Sequence, residues 1–399
     1  MERKPLRIAL HPDASSQWIA GVLYVQTITQ ALLTVSKSDR PESHLLIRRS
    51  YDGSHYSALR KSANSIQIFD DDLGTNKLKR LEKWGRTILK NQPRPQTIEG
   101  CLRKTKADLI LPCRESLGSQ FNSPWIGWIP DFQHKYLPGL FSTQELESRD
   151  QKFQELIDDS THMIVSSQMA YHDLLNYYKA EPENVSVYSF RTHADRVWFD
   201  SNPLKTANKY NLPEKFLMFP SQFWQHKNHL ILLQAIAIIK ERVQQDICLV
   251  LTGEDQDYRA PEHPNILKRY ISEQGLDANV SYLGLLPRQD QIQLMRRACA
   301  IVQPSNFEGW SMLVEDSRAL GKIVFLSDIQ VHREQNFECA HYFEPTSAEA
   351  LAQLLMDYWS SLKAGPDLEA EMRAREANTA LMQRSGQKLM EICRKTLAK

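Results

Sequence analysis

Cysteine is scarce and scattered in this 399-residue sequence. Its six copies (Cys101, Cys113, Cys248, Cys299, Cys339 and Cys393) form no Cys-x-x-Cys pair, so neither a zinc knuckle nor a disulfide framework is indicated. Net charge is lacking too: 49 Lys and Arg against 48 Asp and Glu leave +1, and no global field draws the chain to nucleic acid, although local patches stay open. Long apolar runs are missing. The most apolar helix candidate, 230–239, lies between His229 and Lys240 and is too short to span a bilayer. The opening Met-Glu-Arg-Lys-Pro-Leu runs into a strand without a signal-type apolar region, which points to cytoplasmic residence. In that setting the acceptor pattern Asn184-Val-Ser186 is a chance match to a glycosylation site. No repeats or low-complexity tracts stand out, and the N-terminal region holds no full Gly-x-Gly-x-x-Gly.

What is present describes an ordinary globular protein, 42% hydrophobic and 24% charged, of a length for two or three domains. Short apolar runs at 6–10, 45–47, 66–69, 109–111, 125–129, 163–165 and 185–188 alternate with helical patterns, and that alternation favours a parallel sheet. After the first run, a loop over 11–20 leads to Gly21. A helix opens there with Val25, Ile28, Ala31 and Leu32 on one face. Strand, glycine-bearing loop and helix make the opening unit of a doubly wound α/β domain. Ser142 and Glu145 form a capping box that starts a further helix. The stretch 192–212 lacks periodicity and is bounded by prolines, so a domain boundary is expected there. The pattern then restarts with strands at 216–219, 247–251, 280–283, 299–302, 323–326 and 341–345.

Chemistry concentrates in 303–321, Gln-Pro-Ser-Asn-Phe-Glu-Gly-Trp-Ser-Met-Leu-Val-Glu-Asp-Ser-Arg-Ala-Leu-Gly. A strand ends at Pro304 and Ser305, a loop carries Glu308 and Gly309, and a helix begins near Ser311 and stops at Gly321. The first amides of a helix lack partners inside it and carry partial positive charge, so a diphosphate finds them ready. Gly309 lets a ligand approach the backbone closely. Glu308 and Asp316 flank this anion site, and a carboxylate there can accept hydrogen bonds from sugar hydroxyls. Spacing alone serves equally well for a surface loop acid at Glu308 and a solvated helix face at Glu315 and Asp316.

The stretch resembles the Glu-x(7)-Glu segment of the family 4 retaining glycosyltransferases (glycosyl transferases group 1). The resemblance covers most of the chain and is strongest over 219–229 and 302–328. It implies the α/β GT-B architecture: two Rossmann-like doubly wound domains facing a central cleft, with a C-terminal helix returning to the first. The corresponding ranges are 1–200 for an acceptor-side domain, 213–368 for a nucleotide-sugar domain and 369–399 for the helical tail. By the resemblance Glu308 lies beside the donor sugar, and the backbone of Gly309, Trp310, Ser311 and Met312 holds the diphosphate. Asp316 takes the ribose, one carbon–carbon bond (about 1.5 Å) shorter than the glutamate expected there. The family places an arginine and a lysine, five apart, on the donor diphosphate. Lys227 matches the lysine, whereas Gln222, next to Ser221, stands at the arginine position. Gly253 and Glu254 end a strand at a ligand-facing position, and the turn of Gly284 and Leu285 would hold the nucleobase through its backbone. In the first domain the loop from Trp18 to Gly21 would face the cleft. Asp131 matches an acid that follows a sugar-contacting histidine in the family; Pro130 takes that histidine's place. His134 is the nearest substitute, and a structural histidine fits its position equally.

The function so implied is a metal-independent, retaining hexosyl transfer in polysaccharide or glycoconjugate biosynthesis. The donor would be a UDP- or GDP-linked sugar, with no cofactor besides, and the acceptor a glycan or lipid-linked hydroxyl. Two other classes stay open, a nucleotide-sugar epimerase of the same architecture and a catalytically silent sugar-nucleotide binding protein; Gln222 and Asp316 lend weight to the latter. Asp70, Asp71 and Asp72 before Gly74 could hold a divalent metal or form a solvated turn. The basic amphipathic stretch 77–94 could lie on an anionic membrane surface at the inner face or pack on its own domain.

Overall fold

The computed structural model describes residues 4–12, 19–50, 57–70 and 96–399. Trp18, Asp71, Asp72, Gly74 and the basic stretch 77–94 lie outside the described residues. By its contacts the chain divides into two compact units. One takes residues up to Pro130 together with Glu147–Arg191 and Ala380–Lys399; the other takes Asp131–Leu146 and Thr192–Thr379.

The first unit is built on seven parallel strands: β1 (Arg7–Leu10), β2 (Glu42–Arg48), β3 (Ser65–Phe69), β4 (Leu109–Cys113), β5 (Trp125–Ile129), β6 (His162–Val165) and β7 (Val185–Val187). Their order is β3-β2-β1-β4-β5-β6-β7. Strands covered on both faces by helices need apolar residues throughout, and every residue of β4 and β5 is buried. The helix Ile19–Leu33 buries Val25, Ile28, Ala31 and Leu32 as its spacing requires. It begins two residues before Gly21, which therefore sits inside the first turn and not at the start. A glycine has a different use in the final helix, Leu368–Leu397. A Cβ on Gly386 would lie 2.2 Å from the carbonyl oxygen of Ala31, so the two helix backbones meet where no side chain fits. The capping box forms: Ser142 N donates to Glu145 Oε2 at 2.9 Å and Glu145 N to Ser142 Oγ at 3.3 Å, ahead of the helix Thr143–Asp159.

The second unit holds β8 (Phe216–Pro220), β9 (Cys248–Thr252), β10 (Val280–Tyr282), β11 (Ala300–Gln303), β12 (Val324–Ser327) and β13 (Ala340–Phe343). All are parallel, in the order β10-β9-β8-β11-β12-β13. Chain order reverses between β8 and β11. In open α/β sheets ligands sit beyond the carboxyl ends of the strands at such a switch point, so the loops after β8 and β11 mark the place to look. Residues 192–212, aperiodic in sequence, contain two short helices, Arg196–Asp200 and Pro203–Lys209, capped by Asp195 and Asn202. A bidentate ion pair, Arg296 Nε to Glu371 Oε1 at 2.7 Å and Nη2 to Oε2 at 2.9 Å, is buried in this unit. Among the described residues no helix is long and apolar enough to cross a membrane, and no group of three His, Cys, Asp or Glu could hold a metal ion.

Candidate active site

After β8 the chain makes one 3-10 turn, Gln225–Lys227, and leaves it through Asn228 in the left-handed conformation (φ 59°). Asn228 fixes the exit. Its Nδ2 lies within 3.1 Å of Pro304 O, Asn306 Oδ1 and Pro345 O, while Asn306 N donates to His226 O at 2.8 Å. The loops after β8 and β11 are thereby stitched together, and Lys227 Nζ comes to 2.6 Å from Glu308 Oε1. The two side chains are 21% and 9% exposed.

The acid is tied to the helix that follows it. Gln303, the last residue of β11, donates from Nε2 to Glu308 Oε1 at 2.9 Å and accepts at Oε1 from Ser311 Oγ at 2.7 Å. Ser311 in turn caps the helix Met312–Ala319, accepting from Val314 N at 3.2 Å. Gln335 closes the far side: it accepts from Ser311 N at 3.3 Å and donates to Ser311 O at 3.0 Å and Glu315 Oε1 at 2.9 Å. Trp310 is buried beside them, and Gly309, with no side chain of its own, is half-buried.

Burial is the largest single influence on the Glu308 carboxyl and would raise it, but the Lys227 charge, His226 and hydrogen bonds from Lys227 and Ser305 together outweigh it and hold the group at about 2. It is a carboxylate at neutral pH. The neighbouring histidines stay neutral: burial, reinforced by Lys227, pushes His226 down to about 3, and burial lowers buried His332 as well. A ligand anion entering here would therefore share the Lys227 ammonium with Glu308.

Glu315 and Asp316 are each 1% exposed, so the helix face they occupy is packed, not solvated. Asp316 Oδ1 accepts from Thr192 Oγ1 at 2.8 Å and from Arg288 Nη2 at 2.6 Å. The carboxylate expected on a ribose is thus engaged by the protein's own arginine, whose side chain is 29% exposed. The remaining donor-side residues converge at the ends of β8, β9 and β10. Ser221 N donates to Thr252 O at 3.0 Å, Phe223 N to Glu254 O at 3.1 Å, and Gly253 N to Gly284 O at 2.9 Å. Gly253 has φ +125°, and a Cβ there would fall 2.3 Å from Ser221 O and 2.8 Å from Gln222 N. Beyond Gly284, Leu285 is 62% exposed.

Asp131 and His134 belong to the segment that groups with this second unit. Asp131 Oδ1 accepts from Gln133 N at 3.0 Å, a local turn. His134 is buried among aromatic rings, with Phe132 and Phe141 at 6.5 and 6.4 Å between centroids. Its neighbours reach the site: Gln133 Oε1 accepts from Arg259 Nη1 at 3.0 Å, and the Tyr136 ring lies 5.2 Å from that of Phe307, the residue before Glu308. Gly21, in the other unit, is buried.

Residues 201–377 match the model of the family Glycosyl transferases group 1. The match includes β8 to β13, Lys227 and Glu308. A curated relative, the D-inositol 3-phosphate glycosyltransferase of Corynebacterium efficiens, is 24% identical over 238 residues, which are 56% of this chain and 55% of the relative. The chain thus spans about half the length of the curated relatives it matches. Among solved structures, a glycosyltransferase from Rickettsia africae superposes with a TM-score of 0.67 at 19% identity, covering 98% of this chain and 99% of that one. Anabaena HepE in complex with UDP and glucose gives 0.65 at 16%, covering 97% and 98%. At these identities the likeness is one of fold, the α/β GT-B fold of glycosyltransferases, and it extends over nearly the whole chain.

Sequence reasoning gave no role to Gln303, Asp257, Arg259, Arg288 or Gln335. Gln303 and Gln335 carry amides, which suit a network that must donate at one end and accept at the other. Their only signal was position, Gln303 at a strand end and Gln335 in a short helix after the next strand.

Proposed function

We propose that this chain transfers a hexose from a nucleotide diphosphate sugar to an acceptor hydroxyl, with retention of anomeric configuration and without a metal ion. The observation that carries the reading is the 2.6 Å pair of Lys227 and Glu308 at the switch point of the second sheet, beside the first turn of Met312–Ala319. As the glycosidic bond breaks, negative charge grows on the leaving diphosphate. Lys227 and the amides of Gly309, Trp310 and Met312 meet that charge as a preorganised field, with no reorganisation needed at the moment of reaction, while Ser311 N stays on Gln335. Glu308, ionised at neutral pH, positions the sugar and offsets developing oxocarbenium charge. Gln222 contributes a neutral hydrogen bond where the resemblance calls for an arginine, a weaker hold on phosphate. Arg288, backed by Asp316, faces the ribose side.

The donor class has support from a neighbouring structure that holds UDP and glucose, and the curated relatives are named as D-inositol 3-phosphate glycosyltransferases. A UDP- or GDP-linked hexose as donor fits that support. A glycan or lipid-linked hydroxyl as acceptor, and a place in cytoplasmic polysaccharide or glycoconjugate biosynthesis, complete the reading. Calorimetry with a panel of nucleoside diphosphates, followed by turnover assays with and without acceptors, tests it. Turnover that requires an acceptor is the expected result, and Glu308→Gln and Lys227→Ala should abolish it with the fold intact. Full activity in either variant refutes the assignment; turnover without acceptor indicates an epimerase, and binding without turnover a silent binding protein.

A further inference from the structure

The loop that follows β9 reaches the turn bearing Lys227 through one buried carboxylate. Asp257 is 3% exposed. Its Oδ2 accepts from Gln225 N at 2.9 Å, and its Oδ1 accepts from Arg259 N at 3.0 Å. Gln225 opens the turn Gln225–Lys227, so a backbone amide two residues from Lys227 is held by a charge from another loop. A carboxylate is tolerated out of water where hydrogen-bond donors or a paired charge replace the solvent; here two main-chain amides donate to Asp257, and the Arg259 guanidinium pairs with it, Nε lying 3.9 Å from Oδ1. Arg259 braces the same loop. Its guanidinium lies between the faces of Trp224 and Phe141, 4.4 and 4.7 Å from their centroids, and donates to Gln133. The turn is therefore gripped from two sides. Asn228 and Asn306 register it against the loop of Glu308, and Asp257 registers it against β9.

We propose that Asp257 is a positioning residue for Lys227: by accepting from Gln225 N it fixes the turn whose last residue sets its ammonium on Glu308. It touches neither sugar nor phosphate. Its consequence for catalysis rests on the transfer reading above, since a misplaced Lys227 delivers less field to a leaving diphosphate; its consequence for the Lys227–Glu308 pair does not.

The test uses the full chain with Asp257→Ala, Asp257→Asn and Gln225→Pro. The proline variant keeps the carboxylate and deletes only the donor N–H. Proline is accommodated at the first position of such a turn, and Trp224 before it is already extended (φ −73°, ψ 140°). Without any ligand, carbon NMR of the Glu308 carboxyl should show it titrating at higher pH in all three variants than in the parent. With UDP or GDP, each variant should lose about ten-fold in affinity, the scale of one charge-assisted hydrogen bond, and that loss should vanish in a Lys227→Ala background. An unchanged Glu308 titration together with losses that add in the double variants overturns the proposal, because a merely structural carboxylate would lower the melting point and do nothing else. If Asp257→Ala does not fold, Gln225→Pro decides. A parent protein that binds neither nucleotide defeats the transfer reading alone, and the Glu308 titration still settles the positioning role.

Discussion

Replacing Lys227 by methionine keeps most of the side chain's length and removes its charge, which isolates what the ammonium does for Glu308. In the native protein that carboxyl sits at about 2, against an ordinary value of 4.5, because burial, the largest influence, is outweighed by the charge and hydrogen bond of Lys227 acting with His226 and Ser305. The gap corresponds to about 3 kcal/mol of stability at neutral pH. The direction is fixed by linkage. A carboxyl whose folded-state value lies below its unfolded one contributes fully above about pH 4.5 and loses that contribution as the pH falls toward 2. Lys227→Met forfeits it and leaves the 9%-exposed carboxyl to burial, which raises it instead. The second unit has about 200 residues, for which each kcal/mol moves the thermal midpoint by about 2–4 °C. Scanning calorimetry should therefore find that unit's transition lowered by about 6–12 °C at pH 7 and by roughly half as much at pH 3. An unchanged midpoint at pH 7, or a difference that stays constant down to pH 3, would refute the assignment of Lys227 as the main offset to burial at Glu308.

Two further substitutions test the scaffold. Gly253→Ala places a methyl 2.3 Å from Ser221 O in a backbone conformation (φ +125°) that side chains rarely adopt. It should cost about 3 kcal/mol or more, read as a lower midpoint for the second unit; parent-like stability would mean that the β8 and β9 loops do not approach as closely as described. Glu371→Ala leaves the Arg296 guanidinium buried without its bidentate partner and should cost about 3–5 kcal/mol. Converting both residues to methionine should recover most of that loss in the same assay, and failure to recover would show that the pair does more than neutralise itself.

The strands were legible because parallel strands covered on both faces are written as unbroken apolar runs. The run 125–129 is β5 to the residue, and the others fall on their strands within a few positions. Helix ends were legible where a side chain marks them, as at Ser142 with Glu145 and at Ser311, or where Gly321 takes φ +62°. Elsewhere the marks were absent. Gly21 gave a false start because a glycine near a helix's beginning is permissive, not directive. The short helices in 192–212 bury one residue each, Trp198 and Ala207, and a single buried position displays no period.

Lys227 and Glu308, 81 residues apart, could be paired from sequence because each lies in the loop after a strand and the doubly wound order makes β8 and β11 neighbours. What surrounds them could not. Nothing in the sequence marks Asp257 or Asp316 as buried, since a buried carboxylate differs from an exposed one only in its donors, and those donors include Gln225 N, Thr192 and Arg288 from other elements. The substitution of Gln222 for an arginine gives this hidden layer its weight. On the transfer reading, the Lys227 ammonium then serves both Glu308 and the diphosphate, and the interaction with a single charge weakens as the separation grows. On that reading the demand that a second cation would share passes to the groups that hold the turn Gln225–Lys227 in place, Asn228 and Asp257.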